Sequence, residues 1–176
     1  MSDPREIVAF WKQAGPMKWF RGGAAFDREC DVGFRELHFA AAARKHDDLM
    51  GDAEGALALM LLLDQIPRNI FRGTAHMFAT DALARMFASQ AIDAGFDTQV
   101  DRMLRNFFYL PFEHSEDPAD QARSVALHVA IGDEGGWAQK HADVIATFGR
   151  FPHRNRALGR ENTAAEQAWL DAGGGF

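Results

Sequence analysis

The sequence predicts an all-α protein, on three observations. Apolar residues recur three and four positions apart, as in Phe26, Cys30, Phe34 and Leu37, which gathers them on one face of a helix. Helix start and stop residues punctuate the chain at intervals of ten to twenty positions or so. Strand signals are nearly absent: nothing alternates for long, and the β-branched residues are scattered.

The elements follow in order. Asp3 is a candidate N-cap, with Pro4 at the first helical position and Glu6 three residues after the cap; Gly15-Pro16 is expected to stop that helix. The Phe26 to Leu37 stripe marks a second helix. A third is expected over 52–66, ended by Pro67, which disfavours helical geometry at the residue before it. Thr80 or Asp81 caps "DALARMFASQAIDAG", closed by Gly95. "DTQVDRMLRNFF" forms the next helix and halts near Pro111. Asp117-Pro118 starts another that runs to about 131, and "EGGWAQKHADVIATFGR" makes a seventh. Thr163 and Glu166 form a capping box for a short last one. About eight helices joined by short connections are expected to pack as antiparallel pairs. No low-complexity stretch or long linker divides residues 1–176, so one domain is expected.

The chain has 47% hydrophobic and 25% charged residues, within the range of soluble globular proteins. Its net charge of −6 opposes binding of nucleic acid over the whole surface. The N-terminus lacks the basic start and apolar run of a signal peptide. The longest apolar run, "ALALMLLL" (56–63), falls short of the ~20 residues that span a bilayer. A cytoplasmic protein without membrane or nucleic-acid partners is therefore expected. The one cysteine, Cys30, allows no internal disulfide and is expected to pack as a small apolar residue. The aromatic residues Phe10, Trp11, Trp19, Phe20, Phe26, Phe107, Phe108 and Tyr109 read as core, with Trp19-Phe20 as a possible pocket wall. Met60, Met77, Met86 and Met103 read as core fillers.

Three polar islands carry the candidate chemistry. The first, "LLLDQIPRNIFRG", sets Asp64, Gln65, Arg68, Asn69 and Arg72 directly after the most apolar helix. Arginine suits such a place, because its planar fork binds a carboxylate or phosphate through two parallel hydrogen bonds. The second, "FFYLPFEHSEDPADQ", offers His114 as an acid–base group with Glu116 as its partner, and Gln121 to orient a ligand. Ser115 beside His114 is not by itself a nucleophile geometry. His114 and Glu116 with His141 or His153 match no strong metal signature, so no metal or other cofactor is expected. The third, "FGRFPHRNRALGR" (148–160), holds four arginines in thirteen residues. Arg150, Arg154 and Arg160, with Asn155, read as a cradle for an anion, and His153 as a second acid–base candidate. "IPRNIFRG" (66–73) and "FPHRNRALGR" (151–160) echo one another, but no fixed repeat of roughly 30–50 residues is present.

Each residue taken alone has a structural reading: Asp64–Arg68 and Glu116–Arg as internal ion pairs, Asn69 and Asn155 as turn caps, the histidines on backbone carbonyls. Taken together, this many charges near buried surface point to one shared pocket, since burial of ion pairs seldom adds stability. The favoured function is a binding module for an anionic small molecule or acidic peptide. Its ligand residues would be Arg68, Asn69, Arg72, Gln121, Arg150, Arg154, Asn155 and Arg160. The alternatives are a hydrolase or transferase using His114 or His153 with Glu116, and an interaction scaffold whose islands are struts. Oligomeric state is not legible.

The motifs "KWF", "FD" (26–27), "LALMLLLDQIPRNIFRGTAHMFATD", "LPFEHSEDPADQ" and "HADVIATFGRFPHRNRALGR" together resemble a bacterial family of unknown function, domain of unknown function 924, over about residues 7–170. The family's recurring polar positions match here as Asp64, Gln65, Arg68, Asn69, Arg72, Asp81, His114, Ser115, Glu116, Gln121, His141, Arg150, His153, Arg154, Asn155 and Arg160. The resemblance implies a tetratricopeptide-like right-handed superhelix and no established activity.

Overall fold

A computed structural model describes residues 3–132 and 136–176. They contain ten α-helices and no strand: α1 (Glu6–Arg21), α2 (Gly23–Ala42), α3 (Ala53–Met60), α4 (Ile66–Ile70), α5 (Asp81–Asp93), α6 (Leu110–Glu113), α7 (Pro118–Ala130), α8 (Trp137–Phe148), α9 (Asn155–Leu158) and α10 (Ala164–Asp171). The all-helical expectation holds, with more and shorter helices than the eight anticipated. The chain groups into two compact units, one of Met1–Arg72 and His76–Pro111, the other of Gly73–Ala75 and Phe112–Phe176. No helix among the described residues is long and apolar enough to cross a membrane.

Most local signals act as read. Asp117 accepts from the Ala119 N–H at the start of α7, and Thr163 and Glu166 form both halves of the capping box on α10. Gly95 and Gly149 follow α5 and α8 with left-handed backbones. Asp3 and Pro4 do not start α1: the helix begins at Glu6 without a side-chain cap, and Asp3 accepts from the Arg5 N–H in the turn before it. The "EGG" lead-in to α8 falls largely outside the described residues; α8 itself begins at Trp137.

Three stop signals behave differently. Gly15, at φ 72° and ψ 172°, breaks the helical geometry of α1, but Pro16 then serves as the first residue of a new turn, and the helix resumes to Arg21. Pro67 does not end the third helix. Leu61–Gln65 widens into a π-turn, in which the Ile66 N–H reaches the Leu61 carbonyl, and α4 continues beyond. A proline lacks the N–H that a preceding carbonyl needs. The carbonyls of Leu62, Leu63 and Asp64 accept instead from side chains: His38 Nδ1 (2.8 Å), Thr80 Oγ1 (2.5 Å) and Arg68 Nη1 (2.7 Å). Thr80 therefore makes no side-chain cap on α5. Third, Arg102–Phe108 is a 3₁₀ helix rather than an α-helix. Its buried Leu104 and Phe107 stand three apart, the 3₁₀ period.

The core of the first unit forms where α3 and the π-turn run fully buried from Ala56 to Ile66. α2 packs chiefly on α4, and the stripe of Phe26, Cys30, Phe34 and Leu37 is buried as expected. Trp11, Trp19, Phe26 and Phe107 interlock beside it, with Trp19 edge-on to Phe107 at 5.0 Å. Phe20, Met86 and Met103 were expected inside but are exposed, because each faces away from its helix's buried side. Cys30 has no exposed surface, and burial pushes its thiol up to about 12. The native protein is expected to resist a thiol-specific reagent at pH 8 and to react fully once unfolded in urea. Rapid labelling without urea would show that α2 opens.

Candidate functional site

The polar side chains of the first island, Asp64 to Arg72, all belong to the first unit and are engaged there. Arg68, on α4, places Nη1 2.9 Å and Nη2 3.0 Å from the two oxygens of Asp81. The same Nη1 lies 3.2 Å from Asp64 Oδ1. Burial disfavours its charge, but Asp64 and Asp81 more than compensate. Asn69 donates to the Gln65 carbonyl (3.0 Å), capping the turn as its structural reading anticipated. Arg72 forks onto Asp27 with both contacts at 2.8 Å. These residues tie α4 to α2 and α5.

The second and third islands meet in the second unit. Gln121, in the first turn of α7, is buried and turns its amide nitrogen back onto the carbonyls of Glu113 (2.7 Å) and Ser115 (2.6 Å). That clamp fixes the turn carrying Glu113, His114 and Ser115. The Ser115 hydroxyl donates to Asp120 (2.7 Å) and accepts from the Asp117 N–H (3.2 Å), so it serves the helix start. Glu116 reaches across to the arginine strip. It accepts from the Phe151 N–H (2.8 Å) and from both Arg160 nitrogens (2.8 and 2.9 Å). Arg160 also donates to the Phe151 carbonyl (3.2 Å). Burial works against the Glu116 carboxylate, but Arg160 and the Phe151 N–H outweigh it and hold its pKa below the ordinary range. Arg150 forks in the same way onto Glu166 of the capping box.

The strip thus wraps around Phe151, which is fully buried. Three other polar side chains gather on that ring. The Arg154 guanidinium, 6% exposed, sits 4.4 Å from its centroid. His153 and His141 lie 5.5 and 5.7 Å from it, ring to ring, and His114 stands 6.5 Å from His141. His141 Nδ1 is 2.8 Å from the Trp137 carbonyl, which can only accept, so Nδ1 carries the proton. Burial, aided by the neighbouring His114, Arg154 and His153, pushes His141 down to about 3. Burial and Arg154 push His153 down to about 4. Both rings are therefore neutral at pH 7, beside the permanent charge of Arg154.

A residue not singled out in the sequence completes the cluster. Glu113, 4% exposed, places its oxygens 3.3 Å from His141 Nδ1 and 3.7 Å from His128 Nε2. The carboxylate nearest the imidazoles is thus Glu113, while Glu116 serves Arg160 and the strip. The signal available was slight: His128 at the end of α7 and His141 in α8 belong to helices joined by a short connection. Buried atoms without a hydrogen-bond partner among the described residues include Gln121 Oε1, His153 Nδ1 and Asn155 Oδ1, although the Asn155 amide nitrogen donates to Asn162 (2.8 Å). A wide cavity of about 470 Å³ lies elsewhere in this unit, lined by Thr147, Phe148, Arg150, Thr163, Ala165 and Glu166 and by none of the histidines. Among the described residues no three His, Cys, Asp or Glu side chains are placed to hold a metal ion.

Of the eight expected ligand residues, Arg68, Asn69 and Arg72 belong to the first unit, and the other five to the second. Arg68, Arg72, Arg150 and Arg160 each fork onto an internal carboxylate.

Comparison with known proteins fits this picture of a defined fold. The chain superposes on the solved structure of a protein of unknown function, ATU0120 from Agrobacterium tumefaciens, with a TM-score of 0.92 and 53% identity, covering 96% of this chain and 97% of that one. A search of curated proteins gave no match. Residues 7–174 match the model of a family described as bacterial protein of unknown function, DUF924. With nearly its whole length matched, the chain belongs to the DUF924 family.

Proposed function

We propose that the second unit binds a small anionic molecule at the cluster formed by His114, His141, His153 and Arg154 around Phe151. One observation carries this: the neutral imidazoles of His141 and His153 and a buried guanidinium gather on Phe151, and His153 Nδ1 has no hydrogen-bond partner among the described residues. Buried polar groups are nearly always hydrogen-bonded, so such an atom calls for an occupant. The neutral rings of His141 and His153 donate or accept without adding charge, and Arg154 supplies one positive charge against the Glu113 carboxylate beside His141. The site therefore favours an anion of low charge over a polyphosphate. Four of the arginines first read as ligands act as scaffold instead, holding the strip and the helices in place.

An enzyme reading draws on Glu113. A carboxylate beside His141 would orient that ring for proton transfer at Nε2, as a base is oriented by a third group. Binding is the simpler function, because it requires no further group to react.

The test is thermal unfolding against inorganic phosphate, acetate, citrate and other small carboxylates, for wild type, Arg154→Lys, Arg154→Gln and His153→Asn. A ligand at a hundred times its Kd adds about 2.7 kcal/mol. That amounts to roughly 5–10 °C for a chain of this size. The shift is expected to shrink in Arg154→Lys and to vanish in Arg154→Gln. If no anion stabilises the wild type, or if Arg154→Gln keeps the full shift, the site is not there.

A further inference from the structure

Phe176 makes ring contacts that a surface residue seldom makes. It stacks on His141 at 3.7 Å with 17° between planes. It also meets His153 edge-on at 5.5 Å, Phe151 at 6.2 Å and Trp137 at 6.4 Å. Yet it remains 50% exposed. One face of its ring covers the histidine cluster while the other faces solvent.

The path that brings it there needs three consecutive glycines. Gly173 and Gly175 have φ of +87° and +140°, which side chains disfavour. At Gly174 a Cβ would lie 2.3–2.6 Å from the Trp169 ring, so the backbone must cross that indole bare. The N–H groups of Gly173 and Gly174 are bound to the carbonyls of Leu170 and Trp169, both at 2.9 Å. The segment has a defined track, held by those two bonds and by the Phe176 ring contacts. Ordering glycines is entropically costly, so this contact is easily displaced.

From this track and these ring contacts we infer that the Trp137–His141–Phe151–His153 surface is a subsite for a flat aromatic ring, and that Phe176 is its built-in occupant. Resting on the anion-binding reading above, this names the ligand class: an aromatic acid, its ring in the place of Phe176 and its carboxylate directed to Arg154. Phe151 contacts both the Phe176 ring and the Arg154 guanidinium, so the ring subsite and the cation share one side chain of their wall. Phe176 then acts as a tethered competitor, and the apparent affinity of a ligand falls by the fraction of time the subsite is open.

The experiment follows the imidazole resonances of His141 and His153 by NMR during titration with 3-phenylpropionate, acetate and phenol. It compares wild type with Phe176→Ala and Gly174→Ala, the second of which keeps the ring but blocks its track. Both variants are expected to bind 3-phenylpropionate about tenfold more tightly than wild type, as they would if Phe176 docks nine-tenths of the time. Acetate should bind all three equally, and phenol should gain as the aromatic acid does. If neither phenol nor 3-phenylpropionate gains in either variant while acetate still binds, the ring subsite is overturned and the anion reading stands. If phenol gains but acetate binds none of them and 3-phenylpropionate does no better than phenol, the subsite stands and the anion reading fails.

Discussion

Replacing Arg68 by alanine is expected to destabilise the protein by about 3–5 kcal/mol, the usual cost of removing one partner of a buried ion pair. The guanidinium touches Asp81 through two nitrogens, and Asp64 through both a carboxylate oxygen and the backbone carbonyl. Asp64 is almost without exposed surface, so the variant leaves a charge that water cannot reach. It also strips the Asp64 carbonyl of a donor at the point where the π-turn needs one. Lysine keeps the charge but not the fork, so Arg68→Lys should fall between alanine and wild type. Urea unfolding at pH 7 decides the matter. A loss below 1 kcal/mol or so for Arg68→Ala would place this pair with exposed surface bridges, which contribute little.

The second large effect is acid lability. His141 titrates near 6.5 in the unfolded chain and near 3 in the folded one, so on acidification the unfolded state takes up its proton first. The folded pKa is the lower, so its contribution is complete above about pH 6.5 and is lost as pH falls toward 3. The slope approaches 1.4 kcal/mol per pH unit, or about 1.4 kcal/mol for each unit below 6.5. Glu113, His114, His153 and Arg154 face this ring, and His153, itself pushed down to about 4, adds a parallel loss. The depressed carboxylates Glu116 and Glu166 act in the same sense but at lower pH. Each stabilises above its unfolded value near 4.3, and that stability is lost as pH falls through the folded value, about 2 for Glu166. The loss between pH 6.5 and 5 therefore belongs to the histidines. Urea midpoints at pH 7 and pH 5 should fall sharply in wild type and clearly less in His141→Asn, where His153 and the buried His38, also pushed down, still contribute. Equal falls in the two proteins would mean that His141 is accessible to protons in the folded state.

How far the islands could be understood from residues alone depended on where their partners lie. Asp64 and Arg68 are four residues apart, and a helical period exposes the pair. Arg72 finds Asp27 across 45 residues and Arg160 finds Glu116 across 44, and no local pattern contains either pairing. The sequence holds the residue types that an anion cradle would use. Packing then forked four of the arginines onto carboxylates and set the Arg154 guanidinium against the Phe151 ring. Glu113 was passed over for Glu116 because the two are three apart in one acidic run, and only the Gln121 clamp decides which turns toward the imidazoles.

The amino-acid sequence by itself determined the all-helical class, most helix starts and stops, and the apolar stripe of α2. These rest on bonds and contacts within one or two turns, where residue type and spacing are the whole physics. Only the tertiary structure decided that the helix passes Pro67, since His38 and Thr80, 24 and 17 residues from the carbonyls they serve, supply the missing donors. The same holds for the proposed site. Its members come from α6, α7, α8, the strip and the Gly173–Phe176 segment, and burial, which sets the histidine pKa values, belongs to the packed chain and not to any stretch of it.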